Sequence, residues 1–443
     1  MSHLNPSHAL PRADVGQRVD RYPALGANLM AQISARSQLN AAWLRVRANK
    51  GAGGIDGVTI DTFVEWFKPQ AEHVREQLCN GTYQPQPVMR IAIPKPGGDQ
   101  RLLGIPTILD RIIQQSIVMT LEPMLDPLFS ESSYGFRPNR STHHAITHLR
   151  KGIKSGRKIA VDIDLSKFFD RVNHDVLMSL LAQRIKDKAV LKLIGRYLRA
   201  GINDNGELLA SRQGVPQGGP LSPLLSNIVL DVLDQELERR HHYFARYADD
   251  FMILVKSKRA GNRVLASITR FLERRLKLQV NSEKSHVDAI HKCQFLGFTF
   301  RGNHLLIAPK SLARFKQRVR QLSSRTWGAS MQWKIAKLNR YLRGWINYFG
   351  IANGYQLCVD LDHWIRRRIR MCYWKQWRRA RTRVSKLISL GVPTSLSITT
   401  GSSRKGYWHS AKSPGINMGL SLEWLEKQGL VSLRKQWITL HHG

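Results

Sequence analysis

Aspartates interrupt two apolar segments of this chain, and this feature constrains the fold more than any other. The first segment, Lys158–Leu165, reads as a buried strand but contains Asp162 and Asp164. The second segment carries Asp249 and Asp250 between two short apolar runs. A buried carboxylate is costly unless it is paired or binds a metal. The sequence therefore predicts strands whose carboxylates have cationic partners.

Three convergent carboxylates are what two Mg²⁺ ions need for an in-line displacement at phosphorus. In such a reaction one ion activates the attacking hydroxyl and the other steadies the leaving pyrophosphate. We predict that Asp164, Asp249 and Asp250 hold these ions. Asp162 competes with Asp164, because residues two apart on a strand face the same side. By itself, an Asp-Asp pair at a tight turn is equally explained by turn chemistry.

The net charge predicts a polyanionic partner. The 443 residues include 69 Lys and Arg against 32 Asp and Glu, which gives a formal charge of +37. Because 42% of the residues are hydrophobic, this basicity belongs to a folded chain and not to a disordered one. Nucleic acid is the expected partner, and a membrane surface is the alternative.

No membrane span, zinc site or disulfide framework is expected. The sequence has no uninterrupted run of about 18 apolar residues, the length that a transmembrane helix needs. Its four cysteines lack the Cys-x-x-Cys spacing of zinc sites and lie far apart. Free thiols are typical of a reducing compartment, so we expect a cytoplasmic protein.

The pattern of elements changes near residue 300. Before it, strand and helix patterns are mixed, which predicts an α+β unit. Residues 301–390 hold 21 Lys and Arg against two Asp, a local charge of +19, and their helical periodicity predicts a basic helical domain. An N-terminal extension is expected over 1–34, and a Gly- and Ser-rich tail after Gly391.

Eight motifs in one order make the chain similar to the reverse transcriptases with maturase regions that bacterial group II introns encode. The resemblance covers about residues 35–395. The motifs are Asn49–Gly57, Pro94–Gly98, Ser133–Ser141, Asp164–Asp170, Gly214–Pro223, Tyr247–Asp250, Phe295–Phe298 and Leu342–Phe349.

This resemblance implies a right-hand polymerase fold. Fingers and palm would span 35–305 and a helical thumb and maturase domain 306–395, with 396–443 as a possible remnant of a DNA-binding region. The implied enzyme is an RNA-directed DNA polymerase with two Mg²⁺ ions. It would also bind group II intron RNA, promote its splicing and mobility, and use dNTPs, a DNA target and a primer.

The resemblance also implies roles for residues near the nucleotide. The family's spacing of six residues to Asp170 favours Asp164 over Asp162 as the third metal ligand. Phe169 would exclude a 2′-hydroxyl and so select deoxynucleotides. The remaining nucleotide contacts would be made by Lys95, Arg101 and Gln217.

Further positions are expected to contact nucleic acid. By resemblance, Arg137 and Arg140 would touch template phosphates, Lys284 would lie near the active site, and Gly297 would let the backbone approach the primer end. A basic run on a predicted helix supplies the remaining candidates, Arg366, Arg367 and Arg370, for which a solvated helix face is the alternative.

The chain departs from many relatives at its C-terminal end. Those relatives carry a metal-bound nuclease domain with paired cysteines and histidines, and the sequence offers no such cluster. We therefore expect no cleavage of the second DNA strand and a primer that comes from elsewhere. The expected location is the bacterial cytoplasm near the nucleoid. The alternatives are a reverse transcriptase repurposed for defence or repair, and an RNA-binding splicing cofactor.

Overall fold

The computed structural model describes residues 28–94 and 100–442. Helices up to residue 271 are α1 Leu29–Ser34, α2 Arg36–Ala48, α3 Phe63–Phe67, α4 Ala71–Cys79, α5 Ile108–Leu125, α6 Thr142–Lys154, α7 Phe168–Arg171, α8 His174–Arg184, α9 Lys188–Arg199, α10 Ser222–Arg239 and α11 Lys258–Phe271. The strands are β1 Val88–Pro94, β2 Gln100–Ile105, β3 Ile159–Ile163, β4 Ile202–Asp204, β5 Glu207–Leu209, β6 Tyr243–Tyr247, β7 Asp250–Val255, β8 His286–Ala289, β9 Phe298–Arg301 and β10 His304–Ile307.

Helices follow the last strand to the end of the described chain. They are α12 Pro309–Leu322, α13 Met331–Phe349, α14 Tyr355–Gln376, α15 Ala380–Ser389, α16 Thr394–Gly401, α17 Tyr407–Ser410, α18 Pro414–Gly419, α19 Leu422–Lys427 and α20 Leu433–His442. This sequence of mixed elements followed by helices confirms the predicted fold class. Among the helices that the structure describes, none is long and apolar enough to cross a bilayer.

An antiparallel sheet in the order β6-β7-β3-β8 positions the aspartates. In its register Ile163 of β3 lies opposite Phe251 of β7, and both are buried. The next residue of each strand toward that end is an aspartate, Asp164 on one strand and Asp250 on the other. The apolar pairs therefore bury the strands, and the carboxylates lie just where the buried pairing ends.

A second sheet, in the order β2-β1-β4-β5, contains an antiparallel hairpin. Its strands β1 and β2 pair in antiparallel fashion up to Pro94 and Gln100. The turn between them, with Lys95, lies outside the described residues. The hairpin nevertheless joins the palm, because the Gly104 amide donates to the Gln217 carbonyl (2.7 Å).

The start of the described chain packs into the body of the protein. In α1, Leu29, Met30 and Ile33 are buried, and the Met30 amide donates to Asp187 Oδ2 (2.9 Å). Of the expected extension over 1–34, residues 1–27 lie outside the described part. The packed chain thus begins before residue 35, because α1 contributes apolar side chains to the core.

The C-terminal helices form one core with the thumb helices. The residues after 395 are helical, and α20 packs on α13 and α14. Asp362 of α14 is buried and accepts bonds from the Ser432 hydroxyl (2.6 Å) and the Leu433 amide (2.8 Å). The region from 396 to 442 is therefore a packed helical subdomain, although its Gly- and Ser-rich sequence predicted a tail.

A buried carboxylate anchors α5 beneath the fingers. Asp110 accepts bonds from the hydroxyls of Thr107 (2.7 Å), Tyr83 (2.8 Å) and Tyr197 (3.2 Å). Burial raises the pKa of Asp110, and these hydrogen bonds lower it again in part. Desolvation thus changes the pKa of Asp110 more than the hydrogen-bond donors do, so the folded protein disfavours the ionised carboxylate.

We predict that Asp110→Asn flattens the pH dependence of stability above about pH 4. Because the pKa of Asp110 is raised in the folded state, its contribution to the unfolding free energy is lost as pH rises through that window. The neutral amide lacks this titration. Denaturant unfolding at several pH values measures the effect, with the exposed Glu65→Gln as control. A variant with the same pH slope as the native chain would contradict the prediction.

Candidate active site and nucleic-acid interface

The hairpin between β6 and β7 presents two aspartates at its turn. Tyr247 pairs with Asp250, and Ala248 and Asp249 connect them. Ala248 has a φ of 57°, a left-handed conformation that is unfavourable for a residue with a Cβ atom. The turn must therefore be held by contacts outside itself.

A buried ion pair provides those contacts. Arg246 and Asp234 are both fully buried, with a shortest N···O distance of 2.5 Å. The same guanidinium donates to Asn227 Oδ1 (3.0 Å) and to the Ala248 carbonyl (3.0 Å). Burial raises the pKa of Asp234 to about 6 despite the neighbouring Arg246, so the pair is ionised at neutral pH. Arg246 thus ties the strained turn to α10.

Asp164 is held by a different loop. Its amide donates to Ser285 Oγ (3.0 Å), and its carbonyl accepts from the Asn281 amide (2.8 Å). Lys284 lies on this loop and is exposed, with its amide donating to Asn281 Oδ1 (3.3 Å). Lys284 therefore lies on the same loop that positions Asp164. Its role near the active site stays a prediction.

The aspartates act on one another electrostatically. Desolvation and, to a smaller extent, the charges of Asp249, Asp162 and Asp164 together raise the pKa of Asp250 to about 6. The pKa of Asp162 is also raised to about 6, chiefly by burial, with His286 opposing and Asp164 adding to the shift. Four carboxyl groups therefore share one electrostatic neighbourhood, and their repulsion would be relieved by a cation.

The donor set of this neighbourhood fits divalent cations. Within 28–94 and 100–442, no three acid, histidine or cysteine side chains already lie in a metal-binding arrangement. Carboxylate oxygens are the ligands that hard divalent cations prefer, and the charges of three neighbouring carboxylates contribute to the raised pKa of Asp250.

Two clefts meet at Phe169 and Gln217. One has a volume of 660 Å³, and its wall includes Lys167 and Arg212 besides these two residues. The other has a volume of 500 Å³ and lies between the Asn49–Gly51 loop and the segment from Gln217 to Pro223. The structure thus brings Phe169 and Gln217 together, as predicted for nucleotide contacts.

The phenylalanines after Asp164 begin a helix, so they do not continue the strand. Lys167 has a φ of 49° and turns the chain into α7, where Phe168 is buried and Phe169 lines both clefts. The two rings meet edge to face with centroids 5.1 Å apart. Both rings are thus buried, and of the two Phe169 also lines the clefts.

Cations on the palm side of the 660 Å³ cleft were not found from the sequence. Lys95 lies outside the described residues, as does the side chain of Arg101, although Arg101 itself belongs to β2. Lys167 and Arg212 are exposed and line the cleft. Both could have been found by their position next to a motif, since Lys167 lies inside the Asp164–Asp170 motif and Arg212 just before Gly214.

Arg137 has a structural role and not the predicted contact with phosphate. Its side chain is 2% exposed, and its guanidinium donates to Asp126 Oδ1 (2.7 Å) and to the Ser130 carbonyl (2.6 Å). Arg140 donates to Glu131 Oε2 (2.7 Å) and lies over the Tyr134 ring. Both guanidinium groups therefore hold the segment after α5 in place.

Gly297 permits a close approach, but within the protein. Its φ is 83°, and a Cβ atom there would lie 3.0 Å from Ser311 Oγ and 3.3 Å from the Phe349 ring. The Tyr348 hydroxyl donates to the neighbouring Leu296 carbonyl (2.9 Å). This motif therefore joins the palm to the thumb. The role predicted for Gly297 was a contact with the primer end.

The basic run on α14 fastens the C-terminal helices. Arg367 donates to the Trp408 carbonyl (2.9 Å) and lies over its ring, and Arg370 donates to the Leu420 carbonyl (2.9 Å) and to Asn417 Oδ1. Burial lowers the pKa of Arg366, which faces Asp362. Arg367 and Arg370 thus bind protein groups while staying partly exposed, and the contact of this run with nucleic acid stays a prediction.

Comparison with known proteins identifies the class of protein to which this chain belongs. A family model described as reverse transcriptase (RNA-dependent DNA polymerase) matches residues 93–300. A second, described as group II intron, maturase-specific domain, matches 312–388. Protein YkfC of Escherichia coli (strain K12) is 32% identical, over 75% of this chain and 99% of that protein.

A named intron protein is also similar. Group II intron-encoded protein LtrA of Lactococcus lactis subsp. cremoris is 29% identical over 59% of this chain, which spans 54% of that relative. A solved structure described as a partial Cas6-RT-Cas1–Cas2 complex covers 55% of this chain and 42% of that one, with 25% identity and a TM-score of 0.36. That score is too low to define the fold.

The fold and the site define an RNA-directed DNA polymerase. The chain belongs to the reverse transcriptase and maturase family that group II introns encode. The resemblance seen in the motifs is thereby confirmed. Enzymes of this class generally use divalent metal ions, in agreement with the crowded carboxylates.

We predict that Arg246→Met lowers the unfolding free energy by about 3–5 kcal/mol, because Asp234 then stays buried without its cation. Adding Asp234→Leu should recover most of this stability, since the buried charge is removed as well. DNA synthesis should not recover, because the Ala248 carbonyl still lacks its donor. Denaturant unfolding and primer extension measure the two effects. A double variant with native polymerase activity would disprove the positioning role.

Proposed function

We propose that this chain copies RNA into DNA at Asp164, Asp249 and Asp250, with two Mg²⁺ ions held by these carboxylates. The observation that carries the proposal is that Asp164 and Asp250 directly follow the buried pair of Ile163 and Phe251 at one end of the sheet, with Asp249 in the adjoining turn. When bound, such ions activate the primer hydroxyl and neutralise the departing pyrophosphate. Phe169 and Gln217, which border both clefts, support an incoming nucleotide beside these carboxylates.

The residues of the chain divide the remaining work. Phe169 packs under the sugar and leaves no room for a 2′-hydroxyl, and Gln217 contacts the same nucleotide. Lys95 and Arg101 bind the triphosphate from the fingers. Lys167 and Arg212 face it from the palm, where their charges line the 660 Å³ cleft.

The template and its source follow from the second family match. The maturase-specific model matches 312–388, within the expected thumb and maturase domain over 306–395. Together with fingers and palm over 35–305 and the subdomain over 396–443, this domain binds group II intron RNA. The protein promotes splicing of that RNA and copies it at a DNA target. It works in the bacterial cytoplasm near the nucleoid.

We predict that Asp249→Asn abolishes DNA synthesis and leaves RNA affinity unchanged. Loss of a metal ligand removes several kcal/mol of transition-state stabilisation, so incorporation should fall about a hundredfold or more. Primer extension on an RNA template with Mg²⁺, and RNA binding by filter retention, measure both. The control is Asp288→Asn, a carboxylate on β8 that pairs with Lys292. Synthesis at the native rate by the Asp249 variant would refute the assignment.

We predict that Phe169→Ala relaxes selection against ribonucleotides. Removing the ring opens space beside the sugar, so the ratio of deoxynucleotide to ribonucleotide incorporation should fall about tenfold or more. Steady-state kcat/KM values for one dNTP and its rNTP give this ratio. Phe168→Leu is the matched control, because that neighbouring ring is buried. An unchanged ratio for Phe169→Ala would remove the proposed sugar contact.

A further inference from the structure

Phe136 is an exposed aromatic residue on a strained backbone. It is 45% exposed, and its φ is 57°. A bulky side chain in the left-handed region is a genuine outlier, whereas Asn139 nearby belongs to a residue type that tolerates this conformation. A single exposed ring is ordinary on a protein surface, but a strained one requires an explanation.

The residues on either side fix Phe136 in this conformation. Gly135 lies so close to the catalytic turn that a Cβ atom there would approach the Ala248 amide nitrogen to 2.1 Å. On the other side, the buried Arg137 is anchored to Asp126. Asn227 Nδ2 also donates to the Gly135 carbonyl (3.0 Å). A strained backbone conformation persists only where the surrounding contacts fix it, and the contacts of Gly135 and Arg137 do so here.

Phe136 lines the 500 Å³ cleft together with Asn49 and Gly51. Phe169 and Gln217 separate this cleft from the 660 Å³ cleft assigned to the incoming nucleotide. Among the described residues that line it are amides and the guanidinium of Arg111, and no carboxylate. A nucleic-acid base is a flat group with polar edges on a polyanionic backbone, and a cleft lined in this way can bind it.

We propose that Phe136 is a stacking platform for a base of the template strand, which occupies the 500 Å³ cleft opposite the incoming nucleotide. Aromatic rings stack on any base, so the platform works without sequence preference. The strained backbone holds the ring at a fixed distance from the catalytic turn through Gly135. The proposal rests on the polymerase function proposed above and adds a residue that positions the template.

A fluorescent template tests the platform. A template–primer with 2-aminopurine at the templating position should lose fluorescence on binding the full chain, because the base stacks on Phe136. Phe136→Leu should remove most of this quenching and lower kcat/KM for dNTP addition about tenfold. Phe136→Tyr should retain both properties. Trp66→Leu, which changes a similarly exposed aromatic (38%) on α3, should alter neither.

The strain makes a second variant decisive. Phe136→Gly removes the ring and also relieves the positive φ, so the melting temperature should rise while kcat/KM falls. A ring with a merely structural role would give a lower melting temperature instead, and that result would overturn the proposal. Undiminished quenching in Phe136→Leu would overturn it as well. If the native chain binds and quenches but extends no primer, the polymerase proposal fails and the platform stands.

Discussion

The buried pair of Arg246 and Asp234 is the interaction on which the catalytic arrangement depends. Neither side chain reaches solvent, and the guanidinium joins α10, the hairpin turn and Asn227 in one network. A buried ion pair adds little net stability compared with apolar residues of similar size. Its contribution here is geometric, since it supplies a donor for the turn that carries Asp249.

The same network extends to the segment before α6. The Tyr134 amide donates to the Arg246 carbonyl (2.8 Å), and Asn227 reaches the carbonyl of Gly135. Catalytic turn, helix and loop therefore share hydrogen-bonding groups that have no water to replace them. A change in one is transmitted to the others, because each buried donor needs its acceptor.

The fold was predictable, and the carboxylates could be proposed as catalytic, because both leave a pattern in the sequence. Alternating apolar runs specify strands, and an aspartate inside such a run has few explanations. Phe169 and Gln217 were found through motifs whose order is preserved. Asp162 shows the limit of spacing alone: it lies near the end of β3, Asp164 follows directly after that strand, and only the family's spacing distinguishes the two.

The basic residues were far less predictable, since an arginine looks the same in sequence whether it faces phosphate or a buried carbonyl. Arg137 and Arg370 donate to backbone carbonyls of the protein itself, which their several N–H donors allow. The helical region after 395 escaped prediction for a related reason. Its packing depends on Asp362 and on carbonyls that only the folded chain brings near.

The composition sets the charge of +37, and the placement of the acids decides where positive charge is left exposed. Asp234, Asp231 and Asp126 neutralise buried arginines, and Asp110 and Asp362 hold hydroxyls and amides in the interior. Asp164, Asp249 and Asp250 lie at one end of the sheet, where we propose that they bind cations. Acids used in these ways cannot neutralise surface lysines and arginines. The positive surface that attracts a polyanion is therefore a consequence of how the interior and the active site are built, and its binding is expected to weaken steeply with salt.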